Sequence, residues 1–269
     1  MAGAIGITIL PDGQITVGID RLTTSDRDAA RRAANLTGDT LPFSINVAML
    51  AVDGKRILID AGAGGTWFDT AGKLSDSMTT AGIDPKSVDH VVLTHAHPDH
   101  LWGLIDDFDD TLRFPNARVT IPDAEFDFWM SPSKAERAGA AEGAILGARR
   151  VLGRIADRLT RAKIDTEMAP GLAYIDASGH TPGQCAVLAT SGSDHVLFAA
   201  DTIFHPHVSL AHPDWRPAQD MDGDKAVAAR KRMIDIATSR KALIIAYHVA
   251  TPGAGRIEKD GTTFTWRNA

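Results

Sequence analysis

The chain has 269 residues, enough to bury a sizeable core, and its 44% hydrophobic and 23% charged residues are ordinary proportions for a globular protein. A formal net charge of -6 excludes the basic footprint of a protein that binds nucleic acid or an anionic membrane, so a small-molecule substrate is the expected partner. No apolar run approaches the roughly 18 residues that span a bilayer, and the single cysteine excludes an internal disulfide.

The N-terminus lacks a basic segment leading into a long apolar one, so the chain as it stands reads as cytoplasmic; a signal sequence removed on export would leave no trace. In chain order, GAIGITIL and GQITVGI read as a hairpin around Pro11-Asp12-Gly13, because Asp-Gly between alternating apolar runs is a strong turn signal. SINVAMLAVDGKRILIDAGAG repeats the pattern around Asp53-Gly54 and ends in a glycine-rich loop. Leu74, Met78 and Ile83 fall at helix-like separations within 70–83, and GIDPKSVDHVVLTH returns to a short, continuous apolar strand of the kind covered on both faces. ARVTIPDAEFDFWM repeats the step from strand to helix, and the Ala-, Arg-, Glu- and Leu-rich residues 133–161 predict one or two solvent-facing helices. Further strands are expected at 164–168, 172–176, 185–190, 195–200, 242–247, 256–259 and 263–266, with a helix near 223–238. Cys185, inside QCAVLAT, is expected to be a buried small hydrophobe rather than a reactive thiol. No interior stretch resembles a linker, so one domain over 1–269 is expected. The alternating runs predict an α+β chain: a four-layer αββα sandwich, two mixed sheets flanked by helices, with strand ends gathered at one edge.

Chemistry concentrates in VVLTHAHPDHLWGL, residues 91–104, where His95, His97, Asp99 and His100 fall within six positions. After an extended strand His95 and His97 can point the same way, Pro98 turns the chain, and Asp99 and His100 are free to point elsewhere. Neutral imidazole and carboxylate suit zinc and other borderline or hard divalent ions, and this set exceeds what one tetrahedral ion takes from one short loop, so two ions are a natural solution. His180 in ASGHTPGQ sits in a sharp turn between strands and is a candidate to complete the first ion. Asp201, directly after the strand in LFAADTIFHPH, has two oxygens with which to bridge both ions, and His248 at the strand end in LIIAYHVATPG is a candidate terminal ligand for the second.

The order His95-x-His97-x-Asp99-His100, then His180, Asp201 and His248, resembles the metallo-β-lactamase fold superfamily across nearly the whole chain. That resemblance implies that His95, His97 and His180 hold one metal, Asp99, His100 and His248 the other, and that Asp201 bridges them. It also implies the αββα fold. True β-lactamases of the main zinc subclass use a cysteine where this chain has Asp201, and flavodiiron proteins use a glutamate where it has His97. FPNARVTIPDAEFDFW, SGHTPGQ, HPDWRPAQDMDGDKAVAARKRMIDIA and GRIEKDGTTFTW look like the branch of methyl parathion hydrolase and quorum-quenching lactonases. One departure is Ala200, where the superfamily commonly has glycine before the bridging aspartate.

These features predict a dinuclear metal-dependent hydrolase. Two ions roughly 3.5–4 Å apart would bring a bridging hydroxide to neutral pH for attack on a lactone, ester or phosphotriester. Asp201 and Asp99 are then the expected catalytic residues, Asp99 as one of two carriers of the leaving-group proton. Zinc is the first expectation for both ions, with manganese, cobalt and iron open. Two alternatives remain: a mononuclear iron-dependent persulfide dioxygenase sharing His95, His97 and Asp99, and a metal-binding protein of this fold without turnover. Trp67, Trp129, Phe204 and His205 are the expected substrate-pocket residues, whereas Trp102, beside Leu101 and Leu104, is expected to pack. FHPHVSLAH, with His205, His207 and His212, is read as pocket lining or solvated rather than a second metal site, and Asp222 or Asp224 as a helix N-terminal charge. Dimerisation is expected from the resemblance alone.

Overall fold

The first predicted hairpin is instead one strand. In the computed structural model, which describes residues 5–23, 25–137 and 139–269, β1 (Gly6–Gly18) runs straight through Pro11-Asp12-Gly13. Gly3 and Ala4, the start of that predicted hairpin, lie outside the described residues. β1 pairs antiparallel with β2 (Thr40–Val52), and the register shifts between Pro11 and Gln14. The Asp-Gly signal marks a β-bulge here, not a turn. Asp12 is fully buried and accepts hydrogen bonds from the amides of Ala63 and Leu74, both at 2.7 Å, so the bulge aims a carboxylate inward to tie two loops. Burial pushes the Asp12 carboxyl up to about 6 against those hydrogen bonds. The second Asp-Gly pair is a true hairpin: Asp53 and Gly54 both have positive φ, 49° and 72°, between β2 and β3 (Lys55–Ile59).

β4 (His90–Val92), β5 (Arg118–Pro122) and β6 (Leu159–Ala162) extend the first sheet in parallel, giving the order β1-β2-β3-β4-β5-β6. The second sheet holds β7 (Glu167–Ala169), β8 (Leu172–Asp176), β9 (Cys185–Ser191), β10 (Asp194–Phe198), β11 (Leu243–Ile245), β12 (Ala254–Asp260) and β13 (Thr263–Asn268). Only its β10–β11 pair is parallel, so both sheets are mixed. Strand periodicity explains the continuous apolar runs. Ile45, Val47 and Met49 of β2 face the outer core, while the alternating Ala48, Leu50 and Val52 face the second sheet, where they meet Tyr174, Cys185, Val187 and Phe198. Each fully buried Ile or Leu in these layers contributes about 1.5–3 kcal/mol. Cys185 is buried as expected, and burial raises its thiol well above the ordinary range.

Helices α1 (Arg27–Ala33), α2 (Leu74–Thr80), α3 (Pro98–Leu101), α4 (Asp123–Met130), α5 (Pro132–Arg137) and α6 (Glu142–Arg154) contribute buried residues to the first sheet's outer core. After the short α7 (Val208–Ala211), α8 (Gly223–Ser239) covers the second sheet through Ala229, Met233, Ile234 and Ala237. The two mixed sheets and their flanking helices make the expected four-layer αββα sandwich. No helix among the described residues is long and apolar enough to cross a membrane.

Two further expectations need correction. Residues 133–161 are not simply solvent-facing helix: α6 buries Ile145, Ala148, Val151 and Leu152 at spacings of three and four, and 159–162 form β6. The strand placed at 164–168 is β7 at 167–169, a three-residue edge strand too short to carry periodicity. Asp222 does cap α8, accepting from the Lys225 amide.

Candidate metal centre

Four chain segments deliver the seven predicted ligands to one edge of the sandwich. His95 follows β4, His97 is the residue before α3, and Asp99 and His100 lie in the first turn of α3 behind Pro98. His180 sits between β8 and β9, Asp201 follows β10, and His248 follows β11. All but His97, which faces the cavity described below, are buried.

The donor atoms fall into two groups: His95, His97, His180 and Asp201, and beside them Asp99, His100 and His248. His97 Nδ1 lies 3.1 Å from His95 Nε2 and 2.9 Å from His180 Nε2. Asp201 Oδ2 lies 3.2 Å from His180 Nε2 and 3.1 Å from His248 Nε2, while its Oδ1 is 3.2 Å from His100 Nε2. Asp99 Oδ2 is 3.4 Å from His248 Nε2 and 3.7 Å from His100 Nε2. Bonds of 2.0–2.1 Å around a tetrahedral ion put ligand atoms about 3.3–3.4 Å apart, so these separations fit a divalent metal. Asp201 touches both groups: its Oδ2 lies between His180 of the first and His248 of the second, and its Oδ1 faces His100 of the second.

Protonation fits too. His100 Nδ1–H donates to Asp60 Oδ2 at 2.8 Å, His248 Nδ1–H to the Ser44 carbonyl at 2.9 Å, and His180 Nδ1–H to Asp220 Oδ1 at 3.0 Å. The Thr94 hydroxyl donates to Asp60 Oδ2 at 2.8 Å, which leaves its oxygen to accept His95 Nδ1–H at 3.0 Å. Each of these four rings therefore has its Nδ1–H engaged and turns its Nε2 inward, the orientation a metal ligand requires. Among the described residues, buried His100 Nε2 and Asp201 Oδ1 have no hydrogen-bond partner. Burial, with the neighbouring histidines, holds His95 and His97 well below the ordinary imidazole range, so both are neutral ligands. Burial opposes charge on Asp201, but His248 and His100, whose own pKa values Asp201 raises, hold its carboxyl well below the ordinary range, and a divalent ion would take the place of their Nε2 protons.

The support around the ligands is largely invisible to motif reading. Glu125 of α4 is fully buried and accepts four hydrogen bonds. Its Oε1 takes the Ala96 amide at 3.0 Å and the Trp129 indole at 2.5 Å, and its Oε2 takes the Thr181 hydroxyl at 2.7 Å and the Gly183 amide at 3.0 Å. One carboxylate thus joins the His95–His97 loop to the His180 loop. Gly183 permits this approach, because a Cβ there would sit 2.1 Å from the Glu125 amide nitrogen. Asn46 donates to the carbonyls of Tyr247 and Val249 at 2.9 and 2.7 Å, bracketing His248. The Tyr247 hydroxyl donates to the Asp99 carbonyl at 2.7 Å, and its ring stacks on His100 at 3.9 Å. Asp60 and Ala200, at φ 61° and 48°, hold left-handed backbone next to ligands, and the Ala200 departure thus lies where glycine would relax the turn.

A cavity of about 750 Å³ opens onto the donors, with His97, Asp99, His180, Asp201 and His248 in its wall. Of the four expected pocket residues, Trp67 and Phe204 line it and Trp129 and His205 do not. Trp129 is wholly buried behind the site, its ring 5.6 Å from that of His97 and its indole bound to Glu125. A large aromatic with a single N–H packs well when that donor finds a buried acceptor. His205 turns its Nδ1 back to accept the amide of Val208 at the start of α7. His212 stacks on Trp215, and His205, His207 and His212 form no ligand group. Trp102 packs as expected, flat enough against α6 that a Cβ at Gly147 would meet its ring at 2.2 Å. Asp60, Glu125 and Asp220 were missed. Only Asp60 carried a hint, an ionisable residue at the end of the apolar strand RILID beside the glycine loop.

The model of the metallo-β-lactamase superfamily matches residues 40–248, which include every ligand named above. No curated protein matches the chain in sequence. Among solved structures, the hydrolase AbOPH of the β-lactamase superfamily superposes with a TM-score of 0.91 at 25% identity, over 100% of this chain and 96% of that one. AidC, a dizinc quorum-quenching lactonase in complex with the product N-hexanoyl-L-homoserine, superposes with a TM-score of 0.88 at 27% identity, again over 100% and 96%. A probable metal-dependent hydrolase from Staphylococcus aureus shares the fold at 18% identity and a TM-score of 0.82, over 100% and 99%.

Proposed function

The chain belongs to the metallo-β-lactamase superfamily of metal-dependent hydrolases, and on that premise we propose that it holds two divalent ions, zinc first, and hydrolyses a lactone or carboxylic ester. The observation that carries this reading is Asp201, whose carboxylate touches ligands of both donor groups at the base of a cavity of about 750 Å³. When bound, such a pair of ions lowers the pKa of a coordinated water toward neutrality and polarises the bond under attack.

The chain's own residues supply the rest. Among the described residues no serine or cysteine, the usual nucleophiles of acyl transfer, lines the cavity. Asp99 is in the cavity wall with its Oδ2 against His248, which places a carboxylate within reach of a departing alkoxide or phenoxide oxygen. Phe43, Trp67, Phe204 and Met221 provide apolar walls that hold an acyl or aryl group and exclude bulk water. Support also comes from AidC, a dizinc lactonase over whose whole fold this chain superposes.

The test pairs elemental analysis of purified protein with a panel of acyl-homoserine lactones, simple lactones, aryl esters and methyl parathion. The expected result is close to two ions per chain with acid release from lactones or esters. Asp201→Ala should lose at least one ion and most of the rate. A single iron with oxygen consumption, or full metal content and rate in Asp201→Ala, would refute the reading.

A further inference from the structure

α8 buries Ala226, Ala229, Met233, Ile234 and Ala237 along one face, and in that apolar stripe stands Arg230, 2% exposed. A guanidinium there loses its hydration and must be compensated by fixed partners. Arg230 Nε donates to the Thr202 carbonyl at 2.9 Å, and one terminal nitrogen donates to the carbonyls of Pro213 and Trp215, both at 2.8 Å. Its other terminal nitrogen lies 3.7 Å from Asp220 Oδ2, and neither of those two atoms has a hydrogen-bond partner among the described residues. Asp220 Oδ1 is the atom that receives His180 Nδ1–H.

Arg230 therefore reaches two ligands at one remove. Thr202 adjoins Asp201 in the chain, and Asp220 orients His180. The backbone reinforces the second link: the amides of Met221 and Asp222 donate to the carbonyls of His180 and Gly179 at 3.2 and 2.8 Å. His100 and His248 rest on other supports, Asp60 and the Ser44 carbonyl.

Building on the two-ion reading above, we propose that Arg230, acting through Asp220 on His180, is a positioning residue for the ion held by His95, His97, His180 and Asp201 more than for its neighbour. The guanidinium fixes the Asp220 carboxylate electrostatically, so that Oδ1 stays on His180, while its bond to the Thr202 carbonyl steadies the turn of Asp201, the ligand both ions share. Loss of a partner that orients a metal ligand costs typically 10- to 100-fold in metal affinity.

The test is a competitive chelator titration of zinc on full-length wild type, Arg230→Met, Arg230→Lys and Asp220→Asn, with thermal melting of each metal-free protein beside it. Arg230→Met should weaken one ion about 10- to 100-fold and the other by a clearly smaller factor. Arg230→Lys, which keeps the charge but not the fork, should recover part of that affinity. Asp220→Asn keeps an acceptor for His180 and is the milder change, so it reports even if Arg230→Met fails to fold. In a His248→Ala background, which leaves the four-residue group complete, Arg230→Met should still weaken the remaining ion. Equal weakening of both ions in step with a lower metal-free melting point would show a merely structural arginine and overturn the proposal. So would unchanged affinities in Arg230→Met and Asp220→Asn. A wild type that binds one ion would overturn the two-ion reading itself, and this proposal with it.

Discussion

Glu125→Gln tests how far the centre depends on a residue that touches no ligand side chain. Four donors converge on the two oxygens of Glu125: the amides of Ala96 and Gly183, the Trp129 indole and the Thr181 hydroxyl. Glutamine offers one oxygen and one NH2 group, so whichever way the amide turns, two of the four donors face another donor. Each lost hydrogen bond to a charged acceptor costs about 1.5–3 kcal/mol. Neutralising a buried carboxylate, whose charge burial already disfavours, offsets part of that loss. A net destabilisation of about 2–4 kcal/mol follows, or roughly 5–15 °C in melting temperature for a chain of this length. Ala96 lies between His95 and His97 and Thr181 follows His180, so metal affinity should fall as well. Calorimetry of the metal-free protein and chelator titration of the loaded one measure the two effects separately. A melting point within about 1 °C of wild type, with unchanged affinity, would refute the assignment of Glu125 as the clasp between the two ligand loops.

Acid should destabilise the fold through His90, which is buried against the Thr120 hydroxyl with its Nδ1 unpartnered among the described residues. Burial lowers its pKa from 6.5 to about 4. Below pH 6.5 the unfolded chain takes up a proton that the folded one refuses, so stability falls as pH drops from 6.5 to about 4, by on the order of 3 kcal/mol. His90→Leu should flatten this part of the urea-midpoint profile, and parallel profiles for variant and wild type would contradict it. Gly183→Ala should cost more than about 2 kcal/mol, because its Cβ would collide with the backbone of α4 rather than with a movable side chain; a wild-type melting curve would disprove the close approach. Ala200→Gly relieves a left-handed backbone worth about 1 kcal/mol and adds a similar unfolded-state entropy. Its melting point should stay near wild type with metal content intact, whereas the β-branched Ala200→Val should be clearly less stable.

Ligands were legible in the sequence because metal chemistry restricts residue type and spacing together. Four of them crowd into His95–His100, Asp201 and His248 follow apolar strands, and His180 stands in the glycine- and proline-marked turn ASGHTPGQ. The sheets were legible for a related reason, since strands covered on both faces must be apolar at every position. Local signals failed where tertiary contacts decided the outcome. Asp12-Gly13 carries the chemistry of a turn, yet the Ala63 and Leu74 amides draw Asp12 inward and the chain continues as a bulged strand. Trp129 and His205 could equally have faced a pocket; one indole N–H finding Glu125, and one ring nitrogen finding a helix start, decided otherwise.

The supporting residues pose a different problem, because a carboxylate that orients a histidine needs no fixed spacing from it. Asp60 serves His100 across 40 positions and Asp220 serves His180 across the same number. Arg230 is the instructive exception. On α8 the buried positions recur at 226, 229, 230, 233, 234 and 237, and five of those six are apolar. An arginine in such a stripe either breaks the pattern or has buried partners strong enough to replace its water. The pattern of α8 thus contained evidence that a fixed polar network lay beneath it, three residues of backbone carbonyl and one carboxylate deep, leading to His180.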